Sequence, residues 1–389
     1  MIPLAIPDLT GREGEYLQEC IASGYVSSVG PFVSRFEAAV ADAAGASYAV
    51  ATSSGTAGLH VALTAVGVGR DDLVILPSLT FIASANAIAY CGATPWLLDV
   101  AANSWTLDAD LLAELLQNGT EWQGERLLHR ATGRRVAAIL PVYTLGLPAE
   151  MARLVAIARS YRLPVVADAA AALGSRVQGR AVVALGADLT VFSFNGNKTV
   201  TTGGGGAVVG DVADCVQLVR HLSTTARQGE AYDHDRIGFN YRMTNVQAAV
   251  GCAQLERLEQ FVQAKRRIRA EYDAAFAEIA SLESFPAPEG FASACWFSGA
   301  AVSGLDPEGM GALLAGLRAD GVAARPFWKP IHLQAPYRSA PRSVQTVSDP
   351  LWGRILTLPC STGLTEADQA QVIAAVKKRV KSLGFSLDQ

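Results

Sequence analysis

The segment Leu189-Thr190-Val191-Phe192-Ser193-Phe194-Asn195-Gly196-Asn197-Lys198, with Thr201-Thr202-Gly203-Gly204-Gly205-Gly206 close behind, decides how this chain is read. Leu189–Phe194 is an apolar, β-rich run. It delivers a lysine into a setting of glycines and hydroxyls. An amine just past a buried strand has restricted solvation, which lowers its pKa and makes it a candidate Schiff-base nucleophile. Two phosphate motifs are excluded by spacing. GxxxxGK[ST] is absent, and Val208 stands where the last glycine of GxGxxG would fall after Gly203 and Gly205. A plain surface lysine is the reading left beside the nucleophile.

Around this run lie further apolar segments: Tyr48–Ala51, Leu73–Leu76, Pro95–Asp99, Val136–Val142, Pro164–Asp168 and Ala207–Gly210. They are continuously apolar instead of alternating, as parallel strands buried on both faces are. Helical patterns lie between them at Gly58–Val66, Ile82–Cys91, Asp108–Gln117, Ala149–Arg162 and Val212–Leu222. The alternation predicts an α/β fold, a mostly parallel sheet with helices on both sides. Such sheets bind ligands at the carboxyl ends of their strands.

Two more strand ends carry candidate chemistry. Tyr48–Ala51 runs into Thr52-Ser53-Ser54-Gly55-Thr56-Ala57 and then a helix. A small-residue turn at a helix N-terminus offers free N–H groups and the positive end of the dipole to a phosphate. The same residues also serve as an ordinary helix cap. The run Pro164–Asp168 ends on a carboxylate, which is costly to bury unless paired; an N-cap or a salt bridge would account for it equally. Taken together, an anion turn, a strand-end Asp168 and a glycine-flanked Lys198 match what pyridoxal 5′-phosphate (PLP) requires: a phosphate site, a partner for the pyridine nitrogen and an amine for the aldehyde.

The last third changes pattern. Asn245 to Ile279 reads as one long helix, with Val246, Val250, Leu255, Leu258 and Val262 at near-helical spacing. After Pro286 and Pro288 come weaker strand signals and helices near Gly309–Asp320 and Glu366–Val380. We expect a large α/β domain over 1–250 and a smaller C-terminal α+β domain over 251–389. The basic cluster Lys265, Arg266, Arg267 and Arg269 reads as a solvated helix face.

Composition bounds the function. The chain has 389 residues, 50% of them hydrophobic and 17% charged, with mean hydropathy +0.23. That excludes a disordered chain. A formal net charge of −4 argues against nucleic acid as the partner. No apolar run approaches the roughly 18–20 residues needed to span a bilayer. Met1 to Thr10 lacks a basic region followed by an apolar stretch, so no signal peptide is read and a cytoplasmic location is expected. Six scattered cysteines and five scattered histidines form neither a disulfide framework nor a zinc site.

The stretches Ser53–Ala57, Pro77-Ser78-Leu79-Thr80-Phe81, Asp168-Ala169-Ala170, Ser193–Gly206 and Gly238-Phe239-Asn240-Tyr241-Arg242-Met243 resemble those of the DegT/DnrJ/EryC1/StrS sugar aminotransferases. Those are PLP enzymes of fold type I, and the resemblance covers nearly the whole chain. Ser193 to Lys198 looks most like the branch making UDP-linked 4-amino-6-deoxy sugars of legionaminic acid or bacillosamine pathways. The resemblance implies that Lys198 forms the Schiff base and shuttles the proton, and that Asp168 keeps the pyridine nitrogen protonated. It implies that Phe81 stacks on the ring and that Gly55, Thr56 and Ser193 hold the phosphate. It also implies a homodimer in which Asn240 reaches the partner's phosphate. Arg227, His332 and Tyr143 are its candidates for the nucleotide sugar, with L-glutamate as the amino donor. The reaction expected is transfer to C4 of a nucleotide-linked 4-keto-6-deoxyhexose, the UDP-2-acetamido sugar first. GDP- or dTDP-ketosugars, including C3-specific amination, and a PLP-binding regulator without turnover are the rivals. The chain departs from the family at Ala167 and Ala171, which stand where Glu and a polar residue are usual, and this puts substrate choice and turnover in question.

Overall fold

A computed structural model describes residues 1–383. Two helices open the chain, α1 (Glu13–Ser23) and α2 (Pro31–Ala44). β1 (Tyr48–Thr52) leads into α3 (Gly55–Ala65), β2 (Leu73–Pro77) into α4 (Ile82–Tyr90), and β3 (Thr94–Leu98) into α5 (Ala109–Gly119). A hairpin of β4 (Thr120–Gln123) and β5 (Arg126–His129) precedes β6 (Val136–Ile139) and α6 (Met151–Ser160). Then come β7 (Val166–Asp168), the short pair β8 (Arg176–Val177) and β9 (Arg180–Ala181), β10 (Leu189–Ser193), β11 (Gly206–Gly210) and α7 (Ala213–Ser223). A small hairpin, β12 (Arg227–Gln228) with β13 (Asp233–His234), leads to α8 (Asn245–Leu255) and α9 (Leu258–Phe276). The C-terminal part holds β14 (Leu282–Ser284), β15 (Phe291–Ala292), β16 (Ser298–Val302), α10 (Pro307–Ala319), β17 (Arg325–Pro326), α11 (Ser348–Leu351), β18 (Ile355–Leu358) and α12 (Glu366–Ser382).

The sheet β3-β2-β6 is parallel throughout, and β7-β10 is parallel beside it. Parallel bridges Ile139–Val165 and Val142–Asp168 join the two into one sheet. Its strands are buried almost end to end, as their unbroken apolar runs require. β11 is the exception to the parallel order, running antiparallel to both β10 and β1. The reason is the connection. Between β10 and β11 there is no crossover helix, only the Phe194–Gly205 loop, and a short return forces antiparallel pairing. That loop carries Lys198. The mostly parallel sheet expected from sequence is therefore present, with one reversed strand placed by this short loop.

Local signals explain other elements. The sequence reading passed over α1 and α2, although Pro31 at the first helical position and the left-handed Gly24 and Gly45 past the ends mark their limits. α3 starts at Gly55, three residues before the expected Gly58, because Ser54 caps it by accepting from Ala57 N–H. The single helix expected from Asn245 to Ile279 is two. No Gly or Pro breaks it; Arg257 leaves the helical region at φ −115°, ψ 9°. The flanking residues are held by distant partners: Glu256 by Tyr16 at 2.5 Å and Arg35 at 2.7 Å, Arg257 by two bonds of 2.9 Å to Asp8.

A second sheet, β14-β16-β18-β17, is antiparallel and packs with α9, α10 and α12 around its own apolar cluster. That cluster also takes in Ile2, Leu79, Val100, Trp105 and Leu145 from the earlier part of the chain. Of the basic cluster on α9 only Arg267 lies on a solvated face. Lys265 and Arg269 are buried, and Arg266 donates to the carbonyls of Ser293 and Gly174. Among the described residues no helix is long and apolar enough to cross a membrane.

Candidate active site

The carboxyl ends of β1, β7 and β10 open into one cavity of about 1040 Å³. Gly55, Thr56, Phe81, Tyr143, Asp168, Ser193 and Lys198 all line it. The opposite side comes from the C-terminal part: Trp296, Phe297, Phe327, Trp328 and Arg325.

The floor is built by close approach. A Cβ on Gly55 would lie 2.8 Å from Ser193 Cβ, and one on Gly206 would lie 2.6 Å from Gly55 N. Only glycine lets the start of α3 press against β10 and β11 here. The N-terminal N–H groups of Gly55 and Thr56 have no intrahelical acceptor, since the Ser54 cap serves Ala57. With Ser193 beside them, they form a site suited to a phosphate.

Asp168 lies at the cavity floor, 5% exposed. Ser84 Oγ donates to its Oδ2 at 2.6 Å and Ala170 N–H to its Oδ1 at 3.1 Å. Burial pushes its carboxyl above the ordinary range, against the pull of these two bonds and of the Lys198 charge. A buried carboxylate with this deficit is suited to a cationic ring nitrogen. Phe81 is 51% exposed, with its ring 5.5 Å from that of Trp328, so its face is available to a planar ligand. Tyr143 is buried and its hydroxyl has no partner among the described residues; burial pushes the phenol pKa up.

The Lys198 side chain opens partly to the cavity but lies far below the protein surface. Its removal from bulk water pushes the pKa down to about 8, opposed by the charge of Asp168. Its Nζ sits 3.6 Å from the centroid of the Trp296 ring. The amine is thus neutral far more often near neutral pH than an ordinary lysine is, the state a nucleophile needs. A phosphate site, a needy carboxylate and a poised amine therefore face one space that an aromatic ring fits, the donor set PLP requires.

The remaining sequence candidates lie elsewhere. Asn240 is exposed and lines no part of the cavity. It follows Phe239 on a segment that bridges Thr224, and the next residue, Tyr241, accepts from Ser53 N–H at 2.7 Å, beside the phosphate turn. Arg227 is exposed on the β12–β13 hairpin, stacked over Tyr232 at 5.0 Å. His332 is buried away from the cavity. Its Nδ1 is 2.6 Å from Ser78 Oγ and its Nε2 is 2.8 Å from Asp349 Oδ1. Both ring nitrogens are engaged, and His332, expected as a substrate contact, lines no part of the cavity. Four residues that the sequence reading did not name as site residues now join the site: Ser84, Trp296, Trp328 and Arg325. Ser84, on α4, is four residues after Thr80, whose hydroxyl lies 3.3 Å away, but its partner Asp168 is 84 residues distant. Arg325 had no local signal; it lines the cavity and, among the described residues, makes no ion pair.

This chain is similar to known proteins over most of its length. A sequence profile of the DegT/DnrJ/EryC1/StrS aminotransferase family matches residues 7–377. The GDP-perosamine synthase of Caulobacter vibrioides is 37% identical over 383 residues, covering 96% of this chain and 97% of the relative. That of Escherichia coli O157:H7 is 40% identical over 275 residues, 70% of each chain. Among solved structures, a DegT DnrJ EryC1 StrS aminotransferase from Brucella abortus superposes with a TM-score of 0.86 at 28% identity, covering 94% of this chain and 95% of that one.

Proposed function

Since the chain belongs to the DegT/DnrJ/EryC1/StrS aminotransferase family, we propose that it moves an amino group from L-glutamate to C4 of a GDP-linked 4-keto-6-deoxyhexose. It is a PLP-dependent aminotransferase of fold type I; the nucleotide, sugar and donor are our reading. One observation carries the nucleotide: similarity to GDP-perosamine synthases along almost the entire chain. It favours the GDP alternative, and the narrower UDP-linked expectation drawn from Ser193 to Lys198 gives way to it.

Bound PLP supplies an electron sink and holds the amino group between donor and acceptor. The chain supplies the rest. Lys198 Nζ would hold the cofactor's aldehyde carbon. The same amine would take the α-carbon proton of the donor in the first half-reaction and give a proton to C4 of the sugar in the second. Asp168 keeps the proton on the pyridine nitrogen, and Ser84 fixes the carboxylate that does so. The start of α3 and Ser193 bind the phosphate. Phe81 covers one ring face. Tyr143, with its unpartnered hydroxyl, donates to an oxygen of substrate or cofactor. Arg325 replaces His332 in our reading as the anion contact on the substrate side. Asn240 and Arg227, exposed beside Ile237 (87% exposed) and Tyr232 (74% exposed), are proposed to serve the neighbouring subunit of a cytoplasmic homodimer, since large exposed apolar residues mark a contact surface.

The test is turnover of purified enzyme with L-glutamate and, in turn, GDP-, dTDP- and UDP-linked 4-keto-6-deoxysugars, with products identified by mass and NMR. Amination at C4 with the highest kcat/KM for the GDP sugar is expected. A higher kcat/KM for the UDP-2-acetamido sugar, or amination at C3, would overturn the reading.

A further inference from the structure

Lys265 is 2% exposed on α9 and has no carboxylate partner. Lysine is almost never buried this fully unless paired. Its Nζ donates instead to two carbonyls, Trp296 O at 3.0 Å and Cys360 O at 2.6 Å. Two carbonyls and the Cys360 Sγ at 3.7 Å, with no carboxylate, are a poor exchange for water, so fold stability gives little reason to bury this residue here. What it holds is the backbone of Trp296.

The same tryptophan is fixed from three other directions. Its indole N–H donates to Asn197 O at 2.7 Å, the residue before Lys198. Its backbone N–H donates to Leu145 O at 3.2 Å. Its ring stacks on Phe297 at 3.9 Å between centroids. Two residues beside it are themselves strained: Cys295, immediately before it, has φ +50°, and Leu145, whose carbonyl it meets, has φ +58°. Non-glycine residues persist in that region only where their surroundings over-determine them, and they cluster at functional sites. All of this restraint converges on one outcome, an indole face 3.6 Å from Lys198 Nζ. An aromatic face attracts a cation through its quadrupole, and tryptophan does so best.

We propose that Trp296, clamped by buried Lys265, is a positioning residue for Lys198: its indole face receives the amine whenever the amine is detached from the cofactor. The half of the cycle in which the amino group rests on the cofactor leaves Lys198 free and, after taking a proton, charged. Without a seat, that ammonium would turn toward Asp168, the carboxylate that also lines the cavity. The indole keeps it on the reacting side. The inference rests on Lys198 being the attachment point.

The experiment reads Lys198 in the cofactor-free protein, apart from turnover. Reductive methylation with a carbon-13 label, followed by NMR titration, gives the pH at which this amine ionises. Trp296→Leu is expected to lower the protonation constant of the amine about three- to tenfold, as loss of a cation–π contact requires. Trp296→Phe should fall between wild type and Trp296→Leu. Lys265→Met, which keeps the volume and removes the clamp, should shift in the same direction as Trp296→Leu. A second measurement avoids substituting the buried tryptophan. Tryptophan emission of the cofactor-free wild type should titrate near pH 8, and Lys198→Ala should lack that step. Unchanged ionisation in folded Trp296→Leu, or an emission step that survives in Lys198→Ala, overturns the proposal. Borohydride trapping of the holoenzyme and peptide mapping separately tests the attachment point. A cofactor trapped on another lysine overturns the assignment of Lys198, and with it the role given to Trp296, whatever the ionisation data show.

Discussion

The floor of the cavity and its C-terminal wall reach the same space by different routes. On the floor, Gly55, Asp168, Ser193 and Lys198 each sit at or just past the carboxyl end of a strand in one sheet. The wall is aromatic, with Trp296, Phe297, Phe327 and Trp328, and carries one cation, Arg325. None of the wall residues belongs to the large sheet. The contrast teaches where chemistry and recognition lie in this molecule. A parallel sheet aims its strand ends to one side, so groups that act on a cofactor can be placed by topology alone. A surface that selects a substrate needs shape, and in the proposed function that comes from docking a second sheet across the first.

If this division holds, the largest loss comes from the floor. Lys198→Ala should lower kcat by about 10³-fold or more, the loss of both an attachment point and a general base. Single-turnover measurement with L-glutamate checks it, and residual activity above about a hundredth of wild type would move the chemistry off the floor. Asp168→Asn should cost about 10²- to 10³-fold in kcat, as removing a preorganised charge partner does.

The same two residues sharpen the contrast through pH. Burial raises the folded pKa of Asp168, so the cofactor-free fold binds that proton more tightly than the unfolded chain does. Its contribution is present at acid pH and is lost as pH rises from the ordinary carboxylate range. Lys198 has the opposite sign. Its folded pKa falls from 10.5 to about 8, so the unfolded chain holds more protons between those values and stability rises with pH there, by on the order of 3 kcal/mol. Thermal unfolding of cofactor-free wild type against Asp168→Asn and Lys198→Met should lose each dependence in turn.

The wall should respond in binding instead. Arg325→Ala is expected to raise KM for one anionic ligand about tenfold with kcat nearly unchanged, the signature of lost uniform binding. Measuring the two half-reactions separately shows whether the ligand is the donor carboxylate or the diphosphate. A fall in kcat alone would place Arg325 with the floor. The smallest effect is expected at the corner that joins the two regions. Asp8→Asn breaks the pair with Arg257 where α8 gives way to α9. The Asp8 carboxyl is held down at about 2 by Arg257, so its contribution is present above the ordinary range and lost as pH falls toward 2. Solvent screening keeps it at or below about 1 kcal/mol. Chemical denaturation near neutral pH against acid pH reads the difference.

The floor was legible in sequence because each of its residues is announced locally. An apolar run followed by Thr52-Ser53-Ser54-Gly55-Thr56, by Asp168 or by Asn197-Lys198 is a strand with its end marked. That alternation also determined the α/β class and the order of the strands along the chain. Three things were settled only by the tertiary structure. The reversal of β11 follows from the short loop that carries Lys198, and a run of apolar residues has no direction. The break at Arg257 is made by Asp8, Tyr16 and Arg35, more than two hundred residues away, so no local breaker announces it. The burial of Lys265, the removal of His332 from the cavity and the arrival of Trp296 over Lys198 depend on which carbonyls, carboxylates and rings the second sheet brings into range. A sequence determines which groups a strand end will present, because periodicity is local. It does not by itself determine what faces them, because that is fixed by the packing of two sheets against each other.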